Sequence, residues 1–136
     1  MLINTLNKTI QTLNDLISIT KEDIDNIKQA NHEKVFANTE KKEKLAYEFS
    51  SLKNEIDKIL VSRNKPLEEI FSPEEEKLFN EFREKLFEFN NLHKRFSKLA
   101  LSVANFYNTL VNQIHNNEPI NYNNESFKNS NLHLKA

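Results

Sequence analysis

The side chains best suited to chemistry in this chain are its histidines. A helical bundle can hold a di-iron site when histidines follow core glutamates at Glu-x-x-His spacing. The residues three positions before His32, His93 and His115 are amides instead: Gln29, Asn90 and Asn112. The carboxylate half of the motif is missing each time. We therefore expect no metal site, with His93 a partly buried residue at the edge of a helical seam.

The glutamates Glu74, Glu75 and Glu76 are the next candidates, because paired carboxylates can act as general acid and base. Three consecutive helical residues point around the helix and not at one substrate. A better explanation is a helix start, in which Ser72 caps the helix, Pro73 occupies its first turn and Glu75 completes a reciprocal capping box. Their negative charge also suits the N-terminal end of the helix dipole.

Glycine and cysteine are both absent from the 136 residues. Phosphate-binding loops, dinucleotide-binding turns and the nucleophile elbow depend on glycine, and disulfides, thiol catalysis and cysteine-ligated zinc depend on cysteine. These absences argue against the corresponding enzyme classes, so we expect a protein that is not an enzyme and binds no cofactor.

Charge and hydropathy further limit the kinds of partner that we expect. Nineteen basic and 20 acidic residues are well mixed and give a net charge of −1, which provides no broad field for nucleic acid or anionic lipid. The start of the chain lacks the basic and apolar regions of a leader, and no stretch approaches the roughly 18 apolar residues of a membrane span. We expect a cytoplasmic protein without direct membrane insertion.

Apolar residues, with Thr20 at one position, recur at alternating spacings of three and four from Ile3 to Ile27, which predicts a heptad helix. The phase then slips by four residues at Asn31 and resumes from Val35 to Ile59, with polar Asn38 and Lys42 where apolar residues are due. Such a slip is either a stutter in one continuous helix of nearly sixty residues or a turn between two helices. We favour a turn at Ala30–Glu33, in which Asn31 takes the left-handed conformation or caps the next helix.

The stretch from Ser72 to Ile114 has the widest apolar face, and we expect the rest of the chain to be organised around it. Phe82, Phe89 and Phe96 begin a seven-residue repeat, with a second apolar row beside it, so two partner helices are needed to cover the face. At a rise of about 1.5 Å per residue, a helix over this stretch is longer than either of the other two predicted helices. Part of its face should therefore stay exposed, including Phe106, Tyr107, Leu110, Val111 and Ile114.

The predicted fold is all-α, an elongated antiparallel three-helix bundle or coiled coil with a disordered C-terminal tail. The helices are expected at about residues 2–30, 32–63 and 73–116, within a bundle of residues 1–117. Residues 118–136 are rich in Asn and Ser and lack a sustained period, which is typical of a flexible segment. Their spaced apolar groups suggest partner binding: Ile120, Tyr122, Phe127, Leu132 and Leu134.

The layout resembles the FlgN-like family of flagellar export chaperones. The features that carry the resemblance span nearly the whole chain: a leucine-rich first helix, a short turn at Asn31, the Lys-Lys-Glu-Lys-Leu segment 41–45, an Asn-rich third helix with Phe89-Asn90-Asn91, Asn105 and Asn108, and a tail with one tyrosine, Tyr122. Tails of this family commonly carry a glycine shortly after the tyrosine. Here Asn123, Asn124 and Glu125 follow instead.

The resemblance implies a cytoplasmic chaperone for the hook-associated (hook-filament junction) proteins FlgK and FlgL, which it would bind through their helical terminal segments. The end of the third helix and the tail would hold the client, and Tyr122 would dock to the cytoplasmic domain of the export gate. The candidate client-binding residues are Phe106, Tyr107, Leu110, Val111, Ile114, Phe127, Leu132 and Leu134. Such a chaperone is expected to be a monomer or weak dimer.

Two other interpretations fit the same residues. A coiled-coil scaffold would use the wide third-helix face to close a homo-oligomer. A type III secretion chaperone for another client, such as a filament cap or an effector, would need the same helix packing and the same exposed apolar face.

Overall fold

The computed structural model describes residues 1–116, with side chains as far as residue 114, and contains three α-helices. Helix α1 spans Leu2–Lys28, α2 spans His32–Arg63 and α3 spans Pro73–Asn116. Residues 1–116 form no strand, and the predicted all-α class is confirmed. The predicted tail lies outside the described residues.

The chain divides into two compact units, Met1–His93 and Lys94–Ala136. The first unit holds α1, α2 and the part of α3 up to His93. The described part of the second unit is the remainder of α3. The predicted boundary between a bundle of residues 1–117 and a tail falls where the described residues end, so it stays a prediction.

Helix α1 is the most buried element of the first unit. Fifteen of its 27 residues are buried, against two of the 32 residues of α2. The expectation that α3 is the central helix is therefore wrong. Side chains from α2 and α3, including Ile56 and Phe82, pack with the N-terminal half of α1, so both other helices contact α1.

The apolar core of the first unit joins all three helices. Its buried members are Leu2, Leu6, Ile10, Leu13, Ile56 and Phe82. Ile56 near the end of α2 packs with the start of α1, while Asp23 near the end of α1 bonds to residues near the start of α2. Helices α1 and α2 are therefore antiparallel.

Buried threonines widen the part of α1 that can lie against its neighbours. Thr5, Thr9, Thr12 and Thr20 are buried, and each hydroxyl donates to the backbone carbonyl four residues earlier. A threonine that satisfies its own hydroxyl in this way can be buried without a partner on another helix. These polar threonine side chains therefore belong to the packed surface of α1.

A tight turn separates α1 from α2, as predicted, but its conformation differs from the one expected. Ala30, and not Asn31, takes the left-handed conformation with φ 59°. The Asn31 N–H donates to the Asn26 carbonyl and the Ala30 N–H to the Ile27 carbonyl, which is the bonding pattern of a Schellman motif. Asn31 precedes α2 without a side-chain capping bond. In a chain without glycine, alanine occupies the position that glycine usually fills.

Replacing Ala30 by glycine is expected to stabilise the protein by about 1 kcal/mol, because the left-handed conformation costs a residue with a Cβ about 1–2 kcal/mol and glycine almost nothing. The extra freedom of glycine in the unfolded chain offsets part of the gain. Urea unfolding followed by circular dichroism would measure the change. Ala37→Gly, at an exposed position inside α2, is the matched control and should destabilise. A lower midpoint for Ala30→Gly would contradict the account of the turn.

Three polar side chains form a partly buried cluster near this turn. Asp23 is fully buried; its carboxylate accepts bonds from the Asn38 amide at 2.8 Å and from the Lys42 ammonium at 2.9 Å. These two residues are the polar interruptions in the apolar seam of α2. The interruptions are therefore compensated by a carboxylate on the facing helix.

The connection from α2 to α3 is fixed by an ion pair and a cap. Asn64 ends α2 in the left-handed conformation, and the Arg63 guanidinium donates to both carboxylate oxygens of Glu75, at 2.7 and 2.6 Å, and to the Ile70 carbonyl. The Ser72 N–H donates to Glu75, and the Glu75 N–H donates to the Ser72 hydroxyl. The predicted capping box is confirmed, and the arginine is an addition that the local pattern did not reveal.

The Arg63 guanidinium holds the pKa of Glu75 well below its ordinary value of 4.5, at about 2, with help from the Ser72 N–H and against the effect of burial. A lowered carboxylate pKa contributes stability above about pH 4.5, and this contribution is lost as the pH falls toward 2. The full shift corresponds to about 3 kcal/mol. Solvent screening of the partly exposed Arg63 reduces the expected contribution to about 2 kcal/mol.

Glu75→Gln is accordingly expected to lose about 2 kcal/mol at neutral pH and to show a flatter fall in stability between pH 4.5 and 2 than the unchanged protein. Urea midpoints across this pH range would measure both effects. Glu74→Gln removes an exposed carboxylate from the same turn and serves as the control. Parallel pH profiles for Glu75→Gln and the unchanged protein would contradict the assignment.

Candidate functional site

The C-terminal part of α3 carries a cluster of solvent-exposed apolar side chains, which we call the α3 patch. Ile114 is 77% exposed, and Phe106, Tyr107 and Val111 are each about half exposed, at 47 to 49%. Leu110, which was expected to be exposed, is half-buried among them. Large apolar side chains grouped at this density on a surface commonly mark a contact site for a partner.

Helical spacing arranges the patch as two adjacent rows. Phe106, Leu110 and Ile114 form one row at intervals of four, and Tyr107 and Val111 form the next. The Phe106 and Tyr107 rings meet edge to face, with centroids 5.8 Å apart. Rows at intervals of four leave a shallow groove between them, and such a groove accepts the side-chain ridge of a second helix.

The sequence predicts eight client-binding residues, and the structure brings five of them together in the α3 patch. The other three, Phe127, Leu132 and Leu134, lie outside the described residues, as does Tyr122. Their part in a joint site with the patch therefore stays a prediction.

Among the described side chains, which end at residue 114, the histidine and carboxylate candidates are not grouped into a site; the His115 side chain lies beyond them. His93 is exposed rather than partly buried as predicted, because it lies on the solvent side of α3, where its ring centroid is 5.7 Å from that of the half-buried Phe89. Glu75 is engaged by Arg63 and Ser72. No group of three metal-ligating side chains occurs within this described range.

An open groove of about 670 Å³ lies along the middle of α3. It is lined by Asn80, Arg83, Glu84, Leu86, Phe87 and Asn90. Leu86 and the Phe87 ring, which is 70% exposed, give the groove an apolar part beside its polar side chains. It lacks the enclosed apolar walls that small-molecule sites usually have.

Two exposed aromatic side chains on α2 are features that the sequence analysis did not single out. Phe36 is 77% exposed and Tyr47 is 80% exposed. They are eleven residues apart, which is about three turns of a helix, so they share one face but do not touch. Isolated exposed apolar residues are common on protein surfaces, and these two provide useful comparisons for the α3 patch.

No helix in the described range is both long enough and apolar enough to cross a membrane.

Comparison of the chain with models of known protein families, with curated proteins and with solved structures gave no match.

Proposed function

We propose that the protein is a type III flagellar export chaperone of the FlgN-like class, which binds the helical terminal segments of the hook-associated proteins FlgK and FlgL in the cytoplasm and delivers them to the export gate. The single observation that carries the proposal is the α3 patch. It presents two rows of exposed apolar side chains at the end of the last helix, next to the segment that holds Tyr122. The arrangement of helices, turn and tail, which resembles that of the FlgN-like family, supports hook-associated proteins as the clients.

The size of the patch fits a contact that forms and dissociates. With Phe and Tyr each about half exposed, the patch offers roughly 400 Å² of apolar surface, and a helix that covers it would bury about 800 Å² in total. This is at the low end of specific interfaces, where weak and transient complexes are found. Contacts from Phe127, Leu132 and Leu134 would extend it, after the cost of ordering the segment is subtracted. We expect a dissociation constant between micromolar and nanomolar.

The proposed activity requires binding without catalysis. A client helix is recognised by burial of its apolar face, as in other helix-in-groove complexes. Delivery would then require a second contact that leaves the patch occupied. Tyr122 is our candidate for this contact with the cytoplasmic domain of the export gate.

Isothermal titration calorimetry of the full chain with purified FlgK and FlgL would test the proposal. Val111→Gln with Ile114→Gln is expected to weaken binding by about tenfold or more, because two exposed apolar contacts are lost while the fold keeps its buried core. Phe36→Gln with Tyr47→Gln, at exposed positions on α2, is the matched control and should leave the affinity unchanged. Absence of heat and of co-elution for both proteins would overturn the client assignment.

Tyr122→Ala separates client binding from delivery in the same experiment. It should leave the affinity for the client and the melting temperature unchanged while reducing export of the client from cells. A melting temperature lowered by several degrees would show that Tyr122 contributes to the folded core.

Light scattering distinguishes the proposed chaperone from a coiled-coil scaffold. A chaperone should be a monomer or weak dimer that changes size when client is added. A fixed oligomer that ignores the client would favour the scaffold. If other secretion clients bind and the hook-associated proteins do not, the protein is a type III secretion chaperone for a different substrate.

A further inference from the structure

Charge is distributed very unevenly along α3. Twelve Glu, Lys and Arg residues occur between Pro73 and Lys98, and no Asp, Glu, Lys or Arg occurs from Leu99 to Asn117. The change falls close to the start of the second compact unit at Lys94. The α3 patch lies entirely within the uncharged stretch.

The polar side chains in the uncharged stretch, as far as Ile114, are all amides or hydroxyls: Ser102, Asn105, Asn108, Thr109, Asn112 and Gln113. In an ordinary pair of surface helices, charged residues flank the apolar seam and pair across it, which sets the choice of partner. The flanks of the α3 patch offer no such counter-charge. Asn108, which is exposed one turn from Val111, is an example.

A partner helix with charged flanking residues would lose part of their hydration on docking without gaining an ion pair in return. A partner with amide and hydroxyl flanks would exchange hydrogen bonds with water for hydrogen bonds across the contact at little cost. The lack of charged residues beside the patch would therefore disfavour a partner with charged flanks. Specificity of this kind works by penalising the wrong partner.

We propose that the α3 patch selects a client segment that is an amphipathic helix with uncharged flanks, and that the contact is nearly independent of salt. This inference rests on the proposed function, since it names the chemistry of the client that the chaperone accepts. The apolar residues of that segment would recur at intervals of four, to match the groove between the two rows of the patch.

A second copy of this chain also has an uncharged patch, but the area argues against it as the occupant. Patch-to-patch pairing would bury about 800 Å² in total, below the about 1,200 Å² at which stable specific interfaces begin. A client helix would bury a similar area, which suits the reversible contact of an export chaperone but not a stable dimer.

Three synthetic helical peptides would test the inference against the full chain. All share one apolar face with leucines at intervals of four, and their flanking positions are filled with Gln and Ser, with Glu, or with Lys. Fluorescence anisotropy is expected to show the neutral peptide binding about tenfold more tightly than the lysine peptide, with the glutamate peptide also weaker. Raising the salt from about 0.1 to about 1 M, which shortens the Debye length from about 10 to about 3 Å, should change the affinity for the neutral peptide by less than about twofold.

Asn108→Lys provides a gain-of-function test. A lysine at this exposed flank is expected to tighten binding of the glutamate peptide and make it sensitive to salt, while binding of the neutral peptide weakens or stays constant. Asn54→Lys, at an exposed position on α2, is the control and should have no effect.

The outcomes separate the inference from the proposed function. Equal affinities for the three peptides, reduced alike by Val111→Gln with Ile114→Gln, would overturn the selection by neutral flanks and leave the chaperone function standing. Binding of FlgK or FlgL that falls steeply with salt would have the same meaning. Concentration-dependent self-association that Ile114→Gln abolishes would make a second copy the occupant and overturn the inference. Failure of the hook-associated proteins and of all peptides to bind would contradict both proposals.

Discussion

Phe82→Ala is expected to lower the free energy of unfolding by about 3 to 5 kcal/mol, a large fraction of the stability of a small domain. Phe82 is the one phenylalanine of α3 in the buried core cluster, with an exposure of 7%. Its removal leaves a cavity that rigid helices fill poorly, and the cost of such a cavity rises with its volume.

The aromatic neighbours of Phe82 make this cost larger than the lost apolar area alone. Its ring lies 6.3 Å from that of Phe49 on α2 and 5.7 Å from that of Phe79 on α3, measured between centroids. Phe79 in turn stacks on Phe71 of the connection, at 4.7 Å. One truncation therefore loosens a chain of rings that joins α2, α3 and the segment between them.

Two other phenylalanines of α3 provide the comparison, with urea unfolding as the measurement. Phe89 packs against the cluster but is only half-buried, so Phe89→Ala should cost less than Phe82→Ala. Phe87 is 70% exposed, and Phe87→Ala should change stability by less than about 0.5 kcal/mol. Equal losses for all three variants would mean that the cluster does not hold the helices together.

The elements of this fold could be predicted from the sequence because their signals are local. The heptad spacing, the interruption at Asn31 and the capping box at Ser72 to Glu75 each involve residues less than two turns apart, and α1, α2 and α3 follow. The detail of the first turn could not be predicted, since Ala30 rather than Asn31 takes the left-handed conformation. The choice depends on which carbonyls the last turn of α1 leaves free.

The central position of α1 could not be predicted from periodicity alone. Apolar spacing measures the width of the apolar face, and α3 has the widest. It does not count threonines outside the stripe such as Thr9, which is fully buried and bonds to its own helix. Those residues give α1 a second surface for packing, where a hydropathy pattern places polar residues in solvent.

Polar pairs between distant residues also could not be predicted from the sequence, because they depend on the register between helices. Arg63 is twelve residues from Glu75, and Lys42 is nineteen from Asp23. The sequence showed Asn38 and Lys42 as gaps in a seam but not the carboxylate that faces them. The exposed residues of the α3 patch, by contrast, were predicted by comparing helix lengths, which requires no register.

Asp23→Ala is expected to destabilise the protein by about 3 to 5 kcal/mol, as found when one partner of a buried ion pair is removed. Asp23 is completely buried, and the Lys42 side chain is only 16% exposed, so an ion pair would be lost where water hydrates the lysine poorly. Urea unfolding would measure the loss. Asp25→Ala removes an exposed carboxylate two residues away and should cost less than about 0.5 kcal/mol. Equal effects of the two substitutions would contradict the buried pair.

A triple substitution separates the contribution of the cluster to stability from its contribution to specificity. Leucine at positions 23, 38 and 42 would complete the apolar seam, and replacing a buried ion pair with packed apolar residues is often neutral or stabilising by about 1 to 4 kcal/mol. Apolar heptads alone permit more than one register, whereas one buried polar contact permits few. The variant should therefore be as stable as the unchanged protein but less uniform in the alignment of α1 against α2.

Distance measurements between spin labels would detect this loss of alignment. The chain has no cysteine, so cysteines introduced at the exposed positions Ser18 and Lys44 would each take one label. The unchanged cluster should give a narrow distribution and the leucine variant a broader or shifted one. A narrow distribution in both would mean that the threonines and apolar side chains of α1 set the register without help from Asp23, and that the cluster only compensates for the polar residues on α2.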